Sequence, residues 1–301
     1  MSIKDKILEL KKEKNAVILA HYYVNDEVQE LADYIGDSFF LSKKAKELEE
    51  QVIVYCGVSF MGESAKILNP DKKVLMPDMS ADCAMAHMVD LDNIAKIRSQ
   101  HEDLAVVCYI NSMAEVKAYA DVCVTSANAV KIVQNLPNKN IYFIPDGNLG
   151  RYVAEQVPEK NVILNPGYCP VHHALTAAEV KNVKEKHPKA QFVVHPECVK
   201  ELLDMADYIG STSGIIDYVS KSDCKEFIIG TEVGVLYQLN KHNPDKQFYM
   251  VNENQICQDM KYITLEKIYQ VLSEETNQLE VDAKLREKAL KPLERMLELA
   301  K

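Results

Sequence analysis

A short peptide that returns at nearly equal steps constrains this chain more than any other feature. Ala32-Asp33-Tyr34-Ile35-Gly36 recurs unchanged as Ala206-Asp207-Tyr208-Ile209-Gly210, with a weaker copy, Ala120-Asp121-Val122-Cys123-Val124, between them. The steps are 88 and 86 residues. The same phase aligns the apolar runs Ala16–Ala20, Leu104–Cys108 and Gln191–Val194. Self-similarity at a fixed period means one supersecondary unit used several times. Here a unit of about 87 residues occurs three times, ahead of a helical tail.

Within each unit, apolar runs of four to six residues alternate with helix-period stretches. Buried strands read this way. The first helical stretches are expected at Val28–Tyr34, Met113–Ala120 and Cys198–Ala206, and the closing strands at Val74–Met76, Val162–Leu164 and Phe248–Val251. Strands alternating with helices imply right-handed crossovers and a parallel sheet covered on both faces. The expected fold is α/β: three doubly wound parallel-sheet units around a pseudo-three-fold axis, with C-terminal helices. The units are placed at residues 1–86, 87–172 and 173–260, with the tail, 261–301, packed on them. Pro292 should kink or restart the last helix.

The chain has 301 residues and is 47% apolar, so a large core is available. Its formal charge of −10 argues against a general nucleic-acid or anionic-membrane surface. No apolar run is long enough for a spanning helix, and the charged opening Met1–Leu10 does not read as a signal peptide. Eight cysteines without a targeting segment suggest the reducing cytoplasm.

Polar residues follow the first apolar run of each unit: His21-Tyr22-Tyr23, Tyr109-Ile110-Asn111 and His195-Pro196-Glu197. Ligands of parallel α/β units sit beyond the carboxyl ends of the strands. Period-two alternation puts the first and third member of each triplet on one side. His21, Tyr23, Tyr109, Asn111, His195 and Glu197 should therefore face one cavity, offering acids, bases and neutral donors for proton transfer. Ser38, Ser126 and Thr212 open the second helix of each unit and read as N-caps at an anion-binding helix start. Gly210-Ser211-Thr212-Ser213-Gly214 is the richest of these and the expected phosphate or carboxylate cradle.

The cysteines separate by phase. Cys83, Cys169 and Cys257 follow the last strand of each unit at steps of 86 and 88 residues. Cys56, Cys108 and Cys123 lie in apolar runs, and Cys198 and Cys224 have no partner in phase, so these five read as structural. Three converging thiolates favour a soft metal, either zinc or an iron–sulfur cluster. With three cysteines on a cubane one iron stays open as a Lewis acid; zinc with three cysteines and a water also keeps an open position. The spacing leaves both metals standing.

These residues resemble the quinolinate synthases, iron–sulfur enzymes of de novo NAD biosynthesis. The likeness runs from Ala20 to Leu265. It is carried by Ala20-His21-Tyr22-Tyr23, Gly36-Asp37-Ser38, Tyr109-Ile110-Asn111-Ser112, Thr125-Ser126-Ala127-Asn128, Cys169-Pro170-Val171-His172, His195-Pro196-Glu197-Cys198, Gly210-Ser211-Thr212-Ser213-Gly214 and Cys257-Gln258-Asp259-Met260-Lys261. The resemblance implies a [4Fe–4S] cluster on Cys83, Cys169 and Cys257. It implies condensation of iminoaspartate with dihydroxyacetone phosphate to quinolinate, with loss of phosphate and two waters. Substrate contacts are then expected from His21, Ser38, Tyr109, Ile110, Asn111, Ser126, His195, Pro196, Glu197 and Thr212, with His172 and Ser211 lining the same cavity. Glu197 is expected as the main acid–base group, with Tyr23, His21 and His195 beside it. An aspartate oxidase or dehydrogenase, supplying the unstable imine, is the expected pathway partner. Three positions depart from the pattern: Asp82 stands in place of glycine, His87 of aspartate and Ser59 of histidine. A zinc-dependent lyase or hydrolase acting on a small anionic substrate is the alternative from the residues alone.

Overall fold

A computed structural model describes residues 2–301; Met1, the first residue of the expected first unit, lies outside the described residues. The twelve strands are β1 (Ala16–His21), β2 (Tyr34–Gly36), β3 (Val52–Cys56), β4 (Lys73–Leu75), β5 (Leu104–Tyr109), β6 (Val122–Val124), β7 (Asn140–Ile144), β8 (Asn161–Leu164), β9 (Gln191–Val194), β10 (Tyr208–Ile209), β11 (Glu226–Gly230) and β12 (Gln247–Met250). They form three four-stranded sheets of identical order, β2-β1-β3-β4, β6-β5-β7-β8 and β10-β9-β11-β12. Every pairing within the sheets is parallel, and the register repeats with the sequence phase: Ile18 faces Val54, Val106 faces Tyr142 and Phe192 faces Ile228.

The repeated Ala-Asp has a physical cause. Asp33, Asp121 and Asp207 each accept from the first strand through a carboxylate oxygen: Ile18 N–H at 2.9 Å, Val106 N–H at 2.7 Å and Phe192 N–H at 2.7 Å. Each donates its own N–H to the carbonyl of that same strand residue. The clamp turns the chain back beside the first strand, so the preceding helices are shorter than expected, at Asp26–Leu31, Ala114–Lys117 and Lys200–Leu203.

Each unit also opens on a helix that the pentapeptide does not announce. Ile3–Glu13, Leu91–Gln100 and Ala177–Lys186 start at the steps of the repeat, and Leu265–Glu274 starts 88 residues after the third. Their N-caps, Ser2, Asp90, Thr176 and Thr264, are in phase as well, and each accepts a backbone N–H in the first turn. The tail therefore begins with the opening helix of a fourth copy that goes no further. It packs against Ile3–Glu13, the opening helix of the first unit. The last helix, Ala283–Leu299, continues through Pro292 and does not restart there. It lies against β6 and the helices Ala114–Lys117, Ser59–Leu68 and Ala129–Asn135. Among the described residues, no helix is long and apolar enough to cross a membrane.

Candidate active site

The carboxyl ends of the strands empty into one cavity. All twelve phase-matched side chains line it: His21, Tyr109 and His195; Tyr23, Asn111 and Glu197; Ser38, Ser126 and Thr212; and Cys83, Cys169 and Cys257. His172 lines it too. Ile110, Pro196 and Ser211 do not. The first two are the buried middle members of their triplets, which alternation turns off the cavity.

Ser38, Ser126 and Thr212 are not the N-caps. Asp37 caps the helix Ser38–Glu47 by accepting Phe40 N–H at 3.0 Å. Ser211 caps Thr212–Lys221 by accepting Gly214 N–H at 3.1 Å, so its hydroxyl is spent within the expected cradle. In the second unit Asn128 is the cap residue, without a side-chain bond to the helix. A cap must have extended or otherwise non-helical backbone, and Asp37 supplies it one residue earlier than expected. Ser38, Ser126 and Thr212 are thereby left to face the cavity.

Glu197 is buried and stands at the centre of the polar network. Its Oε1 accepts the Tyr109 hydroxyl at 2.6 Å, and its Oε2 is 2.8 Å from His172 Nδ1. Burial pushes the Glu197 carboxyl up, but the His172 imidazole and the Tyr109 hydroxyl that donate to it outweigh burial and keep the group ionised. His172 must then donate from Nδ1, which leaves Nε2 to accept from Thr231 Oγ1 at 2.9 Å. Tyr23 OH lies 2.7 Å from Thr231 Oγ1 and 2.7 Å from Thr212 Oγ1. A continuous series runs from Thr212 through Tyr23, Thr231 and His172 to Glu197.

The other two histidines are set by backbone. Tyr23 N–H donates to His21 Nδ1 at 3.2 Å, and Glu197 N–H to His195 Nδ1 at 3.4 Å, the same contact in two units. Both imidazoles thus carry their proton on Nε2. Burial drives each down to about 3, so both are neutral near pH 7. Two buried acceptors in the second unit, Asn111 Oδ1 and Thr125 Oγ1, have no hydrogen-bond partner, and both residues line the cavity. Buried polar groups are normally paired, so a polar ligand fits here.

Each in-phase cysteine precedes one short helical turn: Ala84–His87, Pro170–His173 and Gln258–Lys261. Burial raises all three thiols, Cys83 to about 12, Cys257 to about 11 and Cys169 well above its ordinary range. The N–H three residues on, from Ala86, His172 or Met260, favours the thiolate in each case. Such a set stays protonated unless a cation takes the sulfurs. Among the described residues, one set of three ligating atoms lies within 4.8 Å of one another: Cys169, His172 and Glu197. Its separations are hydrogen-bonding ones, with His172 Nδ1 at 3.3 Å from Cys169 Sγ. The five remaining cysteines are off the cavity; Cys108 and Cys123 are partners on β5 and β6.

Sequence reasoning missed Thr231, Asp82 and Glu232. Thr231 has no polar counterpart in phase, and its only signal is its place after the end of β11. Asp82, His87 and Ser59, the three departures from the expected pattern, meet in space. Ser59 Oγ is 2.5 Å from Asp82 Oδ1 and His87 Nε2 is 2.7 Å from Asp82 Oδ2.

The sequence pattern of the family described as "Quinolinate synthetase A protein" matches residues 5–298. A protein of Clostridioides difficile (strain 630) named quinolinate synthase is 53% identical over 294 residues, which are 98% of this chain and 97% of the relative. Quinolinate synthase of Fusobacterium nucleatum subsp. nucleatum is 54% identical over 298 residues, 99% of each chain. That of Caldicellulosiruptor saccharolyticus is 50% identical over 298 residues, 99% of this chain and 98% of the relative. With about half of its residues shared across nearly the whole length, the chain belongs to the quinolinate synthase family.

Proposed function

We propose that this chain condenses iminoaspartate with dihydroxyacetone phosphate to quinolinate, releasing phosphate and two waters, with a [4Fe–4S] cluster held by Cys83, Cys169 and Cys257. The observation that carries this reading is the convergence of twelve phase-matched side chains, three thiols among them, on one cavity. The same phase supports a division into units at residues 1–86, 87–172 and 173–260 about a pseudo-three-fold axis, with 261–301 packed on them. A cytoplasmic setting suits eight cysteines that stay reduced, and an aspartate oxidase or dehydrogenase would supply the imine.

The donor set fits an iron–sulfur cluster better than zinc. A tetrahedral ion with bonds of about 2.3 Å to sulfur needs thiolates roughly 3.8 Å apart. The three cysteines share a cavity, yet the compact three-atom set in it is a different one. A cubane spreads its ligands wider, and with three of them one iron is open. Bound there, the cluster would supply a Lewis acid for a carboxylate or hydroxyl of the substrate.

The chain's own residues do the rest. Ionised Glu197 takes a proton from a carbon or hydroxyl presented to it and returns it to a neighbouring atom, which carbonyl migration, ring closure and dehydration each need. The hydroxyls of Thr212, Tyr23 and Thr231 and the His172 Nδ1–H each donate one step toward Glu197, so the series holds the carboxylate ionised and aimed at the substrate. Neutral His21 presents Nε2–H to a substrate oxygen, where it polarises without carrying charge, and neutral His195 directs its own Nε2–H at Ser126 Oγ, 3.2 Å away, which orients that hydroxyl. Asn111 and Thr125 offer the unpartnered acceptors, and Ser38, Ser126 and Thr212 add hydroxyls that orient the substrate.

Anaerobic purification with iron and sulfide analysis tests the cofactor reading. It predicts about four of each per chain, lost in Cys83→Ala, Cys169→Ala and Cys257→Ala and kept in Cys108→Ala. A colourless zinc protein would contradict it.

A further inference from the structure

We propose that Asp82, braced by Ser59 and His87, is the positioning residue that fixes the first sulfur ligand, in place of the strand-end carboxylate used in the third unit. The inference rests on the reading of the three cysteines as cluster ligands.

All three units pin the ligand loop by one backbone bond, two residues ahead of the cysteine. Ser59 N–H reaches Ala81 O at 2.9 Å, Gly147 N–H reaches Gly167 O at 2.8 Å and Val233 N–H reaches Gln255 O at 2.8 Å. The residue just before each of these donors differs: Val58, Asp146 and Glu232. In the third unit Glu232 is fully buried, and its Oε1 accepts Cys257 N–H at 3.1 Å and Lys261 Nζ at 3.0 Å. Its Oε2 accepts Gly234 N–H at 2.6 Å. In the second unit Asp146 spends Oδ1 on the N–H groups of Asn148 and Leu149. In the first unit Val58 has no side-chain acceptor, and the carboxylate that meets Cys83 N–H comes from elsewhere.

Asp82 supplies it. Its Oδ1 accepts Cys83 N–H at 2.8 Å together with the Ser59 hydroxyl, and its Oδ2 accepts from His87 Nε2. Asp82 N–H donates to Asp259 Oδ1 at 3.1 Å, two residues beyond Cys257. One residue therefore ties the first ligand to the loop after β3, to its own turn and to the third ligand loop. Bonded on these sides, the carboxylate holds the backbone N–H of Cys83 and with it the turn from which the sulfur projects. Asp82 also lines the cavity, which puts its negative charge beside the cluster position, where it opposes addition of an electron.

The test uses anaerobically purified, cluster-loaded full-length protein, with two readouts: iron release to a ferrous chelator and the midpoint potential of the cluster. Asp82→Ala should release iron roughly tenfold or more faster than wild type. Asp82→Asn keeps an oxygen for Cys83 N–H and Ser59, so its release should stay within about threefold of wild type, while its potential rises because the charge is gone. Ser59→Ala should speed release on its own and add nothing in the Asp82→Ala background, since it acts through Asp82. If wild type carries a cluster and Asp82→Ala has the same folded spectrum, release rate and potential, the inference is overturned while the cluster reading stands. If Asp82→Ala does not fold, an unchanged potential in Asp82→Asn overturns it. A wild type without iron removes the cluster reading itself.

Discussion

The seam between the first two units and the seams those units make with the third are built from different materials. One continuous apolar core runs through the first unit, the second and the C-terminal helices, joining residues such as Ile53, Val107, Ile132, Ile268 and Leu293. The third sheet keeps separate cores on its two faces, around Phe192 and Leu202 on one and Ile215 and Leu239 on the other. It meets the first two units largely through hydrogen bonds. Gln29 donates to Gly234 O, Ser213 to Asp37 and Asn148 to Glu197 O, and the Tyr23 and Thr212 hydroxyls pair. Apolar contact is non-directional and suits a permanent joint. Hydrogen bonds fix atoms in direction, and the polar seams are where Glu197, Tyr23 and Thr212 meet. One joint therefore holds the molecule together while the other forms the site.

Substitutions can separate these two roles. The largest effect belongs to Glu197→Gln, which should lower kcat by about 10²- to 10⁴-fold with cluster content and thermal midpoint retained. Loss of the cluster in that variant would mean that Glu197 acts on the metal site. Next comes Leu293→Ala in the shared core, expected to cost about 2–5 kcal/mol of stability in denaturant unfolding, with kcat of the folded fraction unchanged. A large kcat change there would break the division between the seams.

Acid should attack the polar seams first. His21 and His195 are held near 3 in the folded protein against 6.5 when unfolded. The unfolded chain binds more protons between those values, so stability is full above about pH 6.5 and falls as pH drops toward 3. His195→Asn should flatten that slope, measured as denaturant midpoints at pH 7 and pH 5; an unaltered slope would mean His195 is not neutral in the fold. The smallest effect is expected for Ser213→Ala, which removes one hydrogen bond across a polar seam. It should cost about 1 kcal/mol, read as a small drop in thermal midpoint, and leave the core of the first two units untouched.

What the sequence makes legible here is what its phase carries. The clamp by Asp33, Asp121 and Asp207 forces identical side chains at fixed steps, so the sheets, the triplets and the cysteines could all be placed by counting. The opening helices share that phase but not an identical peptide, because capping accepts Ser, Asp or Thr alike. The helix caps at Asp37 and Ser211 were displaced by one residue, since cap identity depends on backbone angles that composition does not reveal. Thr231 and the Ser59–Asp82–His87 group belong to no repeat and come together only through folding. The shared core is hidden for a similar reason: an apolar residue reads the same whether it faces its own unit or the next.

The most direct test of the account is quinolinate formation by anaerobically purified protein from dihydroxyacetone phosphate and freshly generated iminoaspartate, run beside Cys257→Ala and Cys108→Ala. The account predicts quinolinate and phosphate in equal amounts from wild type and Cys108→Ala, and none from Cys257→Ala. Iron-loaded wild-type protein that forms no quinolinate would contradict it.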